Sequence, residues 1–196
     1  MSPVPPVPVP ARWRDEIAEV LVSEPQLAAR VAELGAALTA DLAGRDLVVV
    51  GLLNGTALFL ADLVRRLDLH LELDFLGVSS YGHGTTAGAL TFTKELRLPV
   101  RGRTVLLVDD ILDTGRTFQA VLQRLHALGP REIKTCVLLD KPARRVVPVT
   151  ADYIGFQIPD HFVIGYGLDY AERYRQLPFV GILHPAVCPP GPAPAP

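Results

Sequence analysis

Three carboxylates, two threonines and a glycine fall within nine residues, Asp109-Asp110-Ile111-Leu112-Asp113-Thr114-Gly115-Arg116-Thr117, directly after the apolar run Val105 to Val108. Ionised carboxylates only accept hydrogen bonds, so the adjacent Asp109 and Asp110 suit paired hydroxyls, such as those of a ribose. Asp113 is then left available as a base. The turn Thr114-Gly115-Arg116-Thr117 runs into the helical pattern Phe118, Val121, Leu122, Leu125. Backbone amides, two hydroxyls and a helix N-terminus therefore converge where a monophosphate would fit. Two acids and a threonine after a strand can also simply cap the next helix. Capping needs one acceptor, and this segment carries several.

These residues need a frame. Val105 to Val108 reads as a buried parallel strand, which puts Asp109 and Asp110 at its carboxyl end, where α/β sheets bind ligands. Leu47 to Leu53 reads as a second such strand, followed by Asn54-Gly55-Thr56 and a helical pattern through Phe59, Leu60, Leu63 and Val64. Further strands are expected at Ile17 to Val22, Leu69 to Val78 and Ile133 to Leu139. Helices are expected from about Glu24 to Gly44, with Ser23 as N-cap and Pro25 in the first turn, and from Arg116 to Leu128. Strand and helix patterns that alternate in this way predict an α/β fold with a doubly wound parallel sheet. Residues 79–93, rich in Gly, Ser and Thr, read as a long mobile loop. The stretch 152–183, broken by Pro159, Gly165, Gly167 and Pro178, reads as a small hood joined by the N-terminal strand. The expected organisation is one domain over 14–183 between proline-rich tails, 1–13 and 184–196, both expected to be mobile.

Of the 196 residues 49% are hydrophobic, enough for one good core, and the formal net charge is −2 without a Lys/Arg block. Neither nucleic acid nor an acidic membrane is the expected partner; small molecules are. No apolar run approaches the roughly 20 residues of a membrane span, and Met1 to Pro10 alternate proline with valine instead of forming a signal core. Cys136 lies in an apolar strand and Cys188 in a proline-rich tail, so no bridge between them is expected. The reading is a soluble, cytoplasmic protein.

The segment VLLVDDILDTGRT resembles the phosphoribosyl pyrophosphate (PRPP) motif of the type I phosphoribosyltransferases. Together with DFLGVSSYG from Asp74, LLDKPARR around Lys141 and ADYIGFQIPDHFVIGYGLDYAERYRQLPFVGIL from Ala151, the chain resembles the hypoxanthine-guanine phosphoribosyltransferases over about Arg14 to Leu183. That resemblance implies the type I phosphoribosyltransferase fold with its hood. It also implies magnesium-dependent transfer of a 5-phosphoribosyl group from PRPP to N9 of a 6-oxopurine, giving IMP or GMP. By resemblance, Asp109 and Asp110 bind the ribose hydroxyls, Asp113 to Thr117 cradle the 5′-phosphate, and Asp113 is the general acid/base facing N7. Lys141 donates to the 6-oxo group, although an exposed lysine is the commoner role for that residue type. Phe162 stacks on the purine, unless it is an ordinary core phenylalanine. Val163 and Asp169 offer main-chain contacts to the base. Leu53, Asn54, Gly55 and Arg175 meet pyrophosphate. Magnesium is shared by Asp169, Asp109 and Asp110, partly through water or ribose, and Ser80 and Tyr81 belong to a closing lid. Tyr166, Tyr170 and Tyr174 are read as packing residues, since their spacing of four fits one face of a helical turn as easily as a site. The resemblance also implies a homodimer or homotetramer.

One departure stands out: Asn54 occupies the place of a lysine common in the family, removing a charge from the pyrophosphate side, and the peptide at Leu53-Asn54 is expected to be cis. A xanthine-preferring phosphoribosyltransferase would keep the same chemistry. A PRPP-sensing regulator that binds nucleic acid on the same fold would need a basic face or an added domain, for which this composition has no counterpart. Gly51-Leu-Leu-Asn-Gly55 lacks the spacing of a dinucleotide-binding turn.

Overall fold

The computed structural model describes residues 7–80 and 90–187. Tyr81 of the expected lid, Cys188 and the ends of both proline-rich tails lie outside the described residues. In chain order the elements are β1 (Ile17–Val22), α1 (Glu24–Leu42), β2 (Leu47–Leu53), α2 (Ala57–Val64), β3 (Leu71–Ser80), β4 (Leu90–Lys94) and β5 (Thr104–Leu112). They continue with α3 (Arg116–Ala127), β6 (Glu132–Asp140), β7 (Tyr153–Gln157), β8 (Val163–Ile164) and β9 (Val180–Leu183). The chain forms two compact units, Arg30–Asp160 and a smaller one made of the residues up to Ala29 and those from His161 onward.

The larger unit is built on a six-stranded sheet of order β4-β3-β2-β5-β6-β7, parallel except for the β3–β4 pair. Uninterrupted apolar runs in β2 and β5 give strands buried on both faces. Val48, Val50, Val105 and Leu107 turn one way, into a core with Phe118, Val121 and Leu125 of α3. On the opposite face a Cβ at Gly51 would lie 2.4 Å from Leu60 of α2, so the missing side chain is what lets that helix close on the strand. Helices thus cover both faces, as the alternating pattern predicted. Near the sheet's β7 edge, Arg30 of α1 donates to the carbonyls of Gly155 and Ile154, each at 2.9 Å.

Three boundaries differ from expectation. β5 continues to Leu112 instead of ending at Val108. Residues 90–93, expected in a loop, belong to β4, which pairs antiparallel with β3 up to Ser80 opposite Leu90. Tyr153–Gln157, expected in the hood, is the edge strand β7 beside β6. The β3–β4 pair is anchored at its root by Asp74, whose carboxylate accepts from the N–H groups of Phe75 (2.8 Å), Arg97 (2.5 Å) and Leu98 (2.9 Å) and from Lys94 Nζ at 3.0 Å.

The smaller unit holds a three-stranded antiparallel sheet of order β1-β9-β8. Ile17, Val20, Ile164, Tyr174, Leu177, Phe179 and Leu183 form its core. Ser23 stands at the predicted N-cap position of α1, its carbonyl accepting from the Leu27 N–H at 2.9 Å, but its hydroxyl caps no helix N–H: Gln26 Oε1 accepts from both the N–H (2.9 Å) and the hydroxyl (2.7 Å) of Ser23. Among the described residues no helix is long and apolar enough to cross a membrane. Cys136 is a free, buried thiol whose pKa burial pushes up to about 12, well away from a reactive thiolate.

Candidate active site

β2 leads through α2 to β3 on one side, and β5 leads through α3 to β6 on the other, so the winding reverses between β2 and β5. The crevice outside the carboxyl ends of strands at such a reversal is where α/β sheets take ligands. A cleft of about 250 Å3 lies there, lined by Leu52 and Leu53 at the end of β2, Gly55 after it, Val78 of β3, residues 109–115 and, in α3, Thr117 and Phe118. Asp109, Asp110, Asp113, Thr114, Gly115 and Thr117 are therefore brought together, as their spacing implied. Asn54 and Arg116 do not line the cleft, and both are exposed.

The acids are held by the strand's own backbone. Asp109 accepts from the Asp110 N–H at 2.9 Å, and Asp110 from the Ile111 N–H at 2.9 Å. Burial pushes the Asp109 carboxyl well above the usual range, and the charge and side chain of Asp110 push it further, against the Asp110 N–H. Asp110 reaches over the turn after β2: a Cβ at Gly55 would lie 1.8 Å from its Oδ2, so Gly55 leaves the room this carboxylate fills. The Leu53-Asn54 peptide is cis, as expected. Gly115, the N-cap of α3, has φ +84°, and a Cβ there would also meet Val149 at 2.6 Å and Val147 at 2.8 Å. Both conformation and space require glycine at this turn.

Asp113 Oδ1 lies 3.0 Å from Arg144 Nε, and Arg144 also reaches Asp160 at 3.6 Å. Lys141 follows β6 and is only 6% exposed, which replaces the exposed lysine its residue type made the commoner case. Burial lowers its pKa, opposed by the charges of Asp113 and Asp160 and assisted by that of Arg144. The main chain of Lys141 donates to the Leu112 carbonyl at 3.0 Å, tying the lysine to the loop that carries Asp113.

In the smaller unit Phe162 is 47% exposed and makes a T-shaped pair with Tyr170 at 5.6 Å and 86°, so it is no core phenylalanine. Val163 is buried in β8, an edge strand with main-chain groups available along one side. Asp169 and Arg175, expected in separate roles, form an ion pair at 3.0 Å. Asp169 also accepts from the Glu172 N–H at 2.9 Å, and Arg175 donates to the Gly167 carbonyl at 2.8 Å. Tyr166 and Tyr174 are buried as packing residues, but no helix forms: φ is +50° at Tyr166 and +75° at Tyr174. Spacing of four here marks successive turns.

Residues 18–171 match the family model of the phosphoribosyl transferase domain. The chain is 48% identical over 174 residues to the bifunctional protein TilS/HprT of Listeria innocua, covering 88% of this chain and 27% of that one, so it spans about a quarter of that relative's length. It is 43% identical over 175 residues to the hypoxanthine-guanine phosphoribosyltransferase of Bacillus subtilis, covering 89% of this chain and 97% of the relative. The chain belongs to the hypoxanthine-guanine phosphoribosyltransferases. A crystal structure of the hypoxanthine phosphoribosyltransferase of Staphylococcus aureus superposes with a TM-score of 0.86 at 42% identity, over 92% of this chain and 98% of that one. Arg144, Arg145 and Asp140, which spacing alone does not single out, join the Asp113 loop through their side chains. The signal available was the charged Asp-Lys-Pro-Ala-Arg-Arg run itself, already tied to Lys141.

Proposed function

We propose that this protein moves the 5-phosphoribosyl group of PRPP to N9 of hypoxanthine or guanine, yielding IMP or GMP and pyrophosphate in purine salvage. The observation that carries this reading is the joint lining of one cleft at the winding reversal by the Asp109-Asp110 pair, Asp113, Thr114, Gly115 and Thr117. The acid pair accepts the ribose 2′ and 3′ hydroxyls. The turn and the start of α3 receive the 5′-phosphate. As the bond from C1′ to the pyrophosphate oxygen breaks and N9 bonds to C1′, Asp113 takes the proton from N7. Arg144 holds that carboxylate until the base arrives. Lys141 donates to the 6-oxo group, which disfavours adenine, whose exocyclic amine offers this ammonium no good acceptor. Phe162 supplies the stacking face, Val163 and Asp169 main-chain contacts to the base, and Leu53, Asn54, Gly55 and Arg175 the pyrophosphate contacts. Residues Ser80 and Tyr81 are assigned to the closing lid.

Magnesium fits the acids present. Among the described residues no cluster of three or more ligating side chains exists, but burial and the charge of Asp110 both penalise ionised Asp109, a penalty that a cation held between them would relieve. Mg2+ is commonly held by one or two carboxylates plus substrate oxygens and water, and bound there it would neutralise the leaving pyrophosphate. Asp169 is the third candidate, and it is already engaged by Arg175 and the Glu172 N–H. The same reading includes a homodimer or homotetramer in the cytoplasm, for which light scattering on the purified protein measures the assembly.

The test is PRPP- and magnesium-dependent conversion of hypoxanthine, guanine, xanthine and adenine in parallel, with Asp113→Asn as control. Turnover of the first two is expected, with a loss of about 10²- to 10⁴-fold in the variant, the range for general acid–base catalysis. Preference for xanthine would change the assigned base. No turnover despite PRPP binding would transfer the weight to a PRPP-sensing regulator.

A further inference from the structure

Arg144 and Arg145 are neighbours in the chain with different partners. Arg144 meets the Asp113 side chain and is largely exposed, whereas the Arg145 side chain is 15% exposed and faces main chain. One guanidinium nitrogen of Arg145 donates to the carbonyls of Leu112 (2.9 Å) and Asp113, and the other to the carboxylate of the buried Asp140. Asp140 ends β6 and immediately precedes Lys141. The next carbonyl, of Thr114, accepts from the Val146 N–H at 3.0 Å. Three consecutive carbonyls, 112 to 114, thus face the segment 140–146.

In a trans peptide the C=O and the following N–H point in opposite directions. Turning these carbonyls toward Arg145 and Val146 therefore turns the N–H groups of Asp113, Thr114 and Gly115 away from that segment, and all three residues line the cleft. Successive N–H groups turned the same way make an anion-binding concavity. We infer that Arg145 is a positioning residue for phosphoribosyl transfer: it orients the peptides of the phosphate loop and fixes Asp113 and Lys141 relative to each other through Asp140. This rests on the reading of the cleft as a phosphoribosyl site. The role demands a planar fork of several donors, because one side chain spans two carbonyls and a carboxylate, and the compact ammonium of lysine does not reproduce that geometry.

The experiment compares full-length wild type, Arg145→Lys and Arg145→Met by thermal melting, by calorimetric binding of ribose 5-phosphate, and by kcat and KM for PRPP and for the purine. Charge-assisted hydrogen bonds lost from a loop of this kind predict at least a tenfold weaker ribose 5-phosphate affinity and a similarly raised PRPP KM in Arg145→Met, with Arg145→Lys between it and wild type. A role confined to folding would lower the melting temperature and the active fraction while leaving both constants of the folded protein within about twofold of wild type, and that result would overturn the inference. Where melting shows Arg145→Met unfolded, Arg145→Lys decides by the same two constants. A wild type that binds ribose 5-phosphate but converts no purine would refute the transfer reading, while the affinity comparison would still decide the part played by Arg145.

Discussion

Asp74 and Asp109 are each 6% exposed, Asp109 lying the deeper of the two, and their carboxyls shift in opposite directions. At the root of the β3–β4 hairpin, burial raises the pKa of Asp74. The N–H groups of Leu98 and Phe75, the Lys94 ammonium and the Arg97 N–H outweigh it, and the value falls to about 2. At the floor of the cleft, Asp109 has one backbone N–H and a second carboxylate beside it, so burial and like charge prevail. The lesson is about what burial means. An acid surrounded by donors is part of the scaffold, and an acid buried beside another acid is waiting for a ligand that brings hydroxyls or a cation.

The contrast is broken most severely at the cleft. Asp109→Asn should lower kcat/KM for PRPP about 10- to 100-fold, the effect of removing a charged acceptor worth roughly 1.5 to 3 kcal/mol. Its stability should move the other way. A carboxyl whose pKa is raised on folding stabilises fully only below its unfolded value, and that contribution is lost as pH rises through the folded value. At pH 7 the asparagine variant is therefore expected to be as stable as wild type or more so, measured by urea unfolding; a clear destabilisation would mean that Asp109 is scaffold after all.

Asp74→Asn is the mirror image. A carboxyl held near 2 instead of its ordinary 3.8 corresponds to roughly 2 kcal/mol of stability at neutral pH. For a chain of this size that lowers Tm by about 4–8 °C. Because the folded pKa is depressed, the contribution is present above about pH 4 and is lost as pH falls toward 2. Wild type and variant should therefore differ in urea at pH 7 and converge in acid, and kcat of the folded variant should be near that of wild type. A gap independent of pH would assign the loss to packing instead of charge.

The same contrast explains what could be read from the chain in advance. β2 and β5 were legible because unbroken apolar runs are buried on both faces, and the acids and glycines that follow them announce the cleft. Asp74 was not legible as an anchor, because its donors lie 20 or more residues along the chain at Lys94, Arg97 and Leu98. Arg145 is similar, since its acceptors at Leu112 and Asp113 come from another strand end. β4 was absorbed into a loop because its half-buried, alternating residues carry a weak strand signal. The tyrosines read as packing, but their spacing could not show the form of the segment, because periodicity is blind to left-handed backbone at Tyr166, Ala171, Glu172 and Tyr174. Lys141 was recoverable only by resemblance, because burial of a lysine has no local signature.

The smallest expected effect falls on Gly55, where the comparison is sharpened to a single carboxylate. Unlike Gly115, with φ +84°, Gly55 is not among the residues of positive φ, so its requirement is for space and not for conformation. The Cβ of Gly55→Ala would lie 1.8 Å from Asp110 Oδ2 and 2.7 Å from its Cγ, so the carboxylate must turn away and give up its hold on the Ile111 N–H. Stability should fall by about 1 kcal/mol, the loss of that one hydrogen bond. The PRPP KM should rise about three- to tenfold, matching one displaced hydrogen bond of roughly 1 kcal/mol, with kcat nearly unchanged. If instead KM stays at the wild-type value, Asp110 does not need its seat over the turn, and Asp109 alone carries the ribose contact.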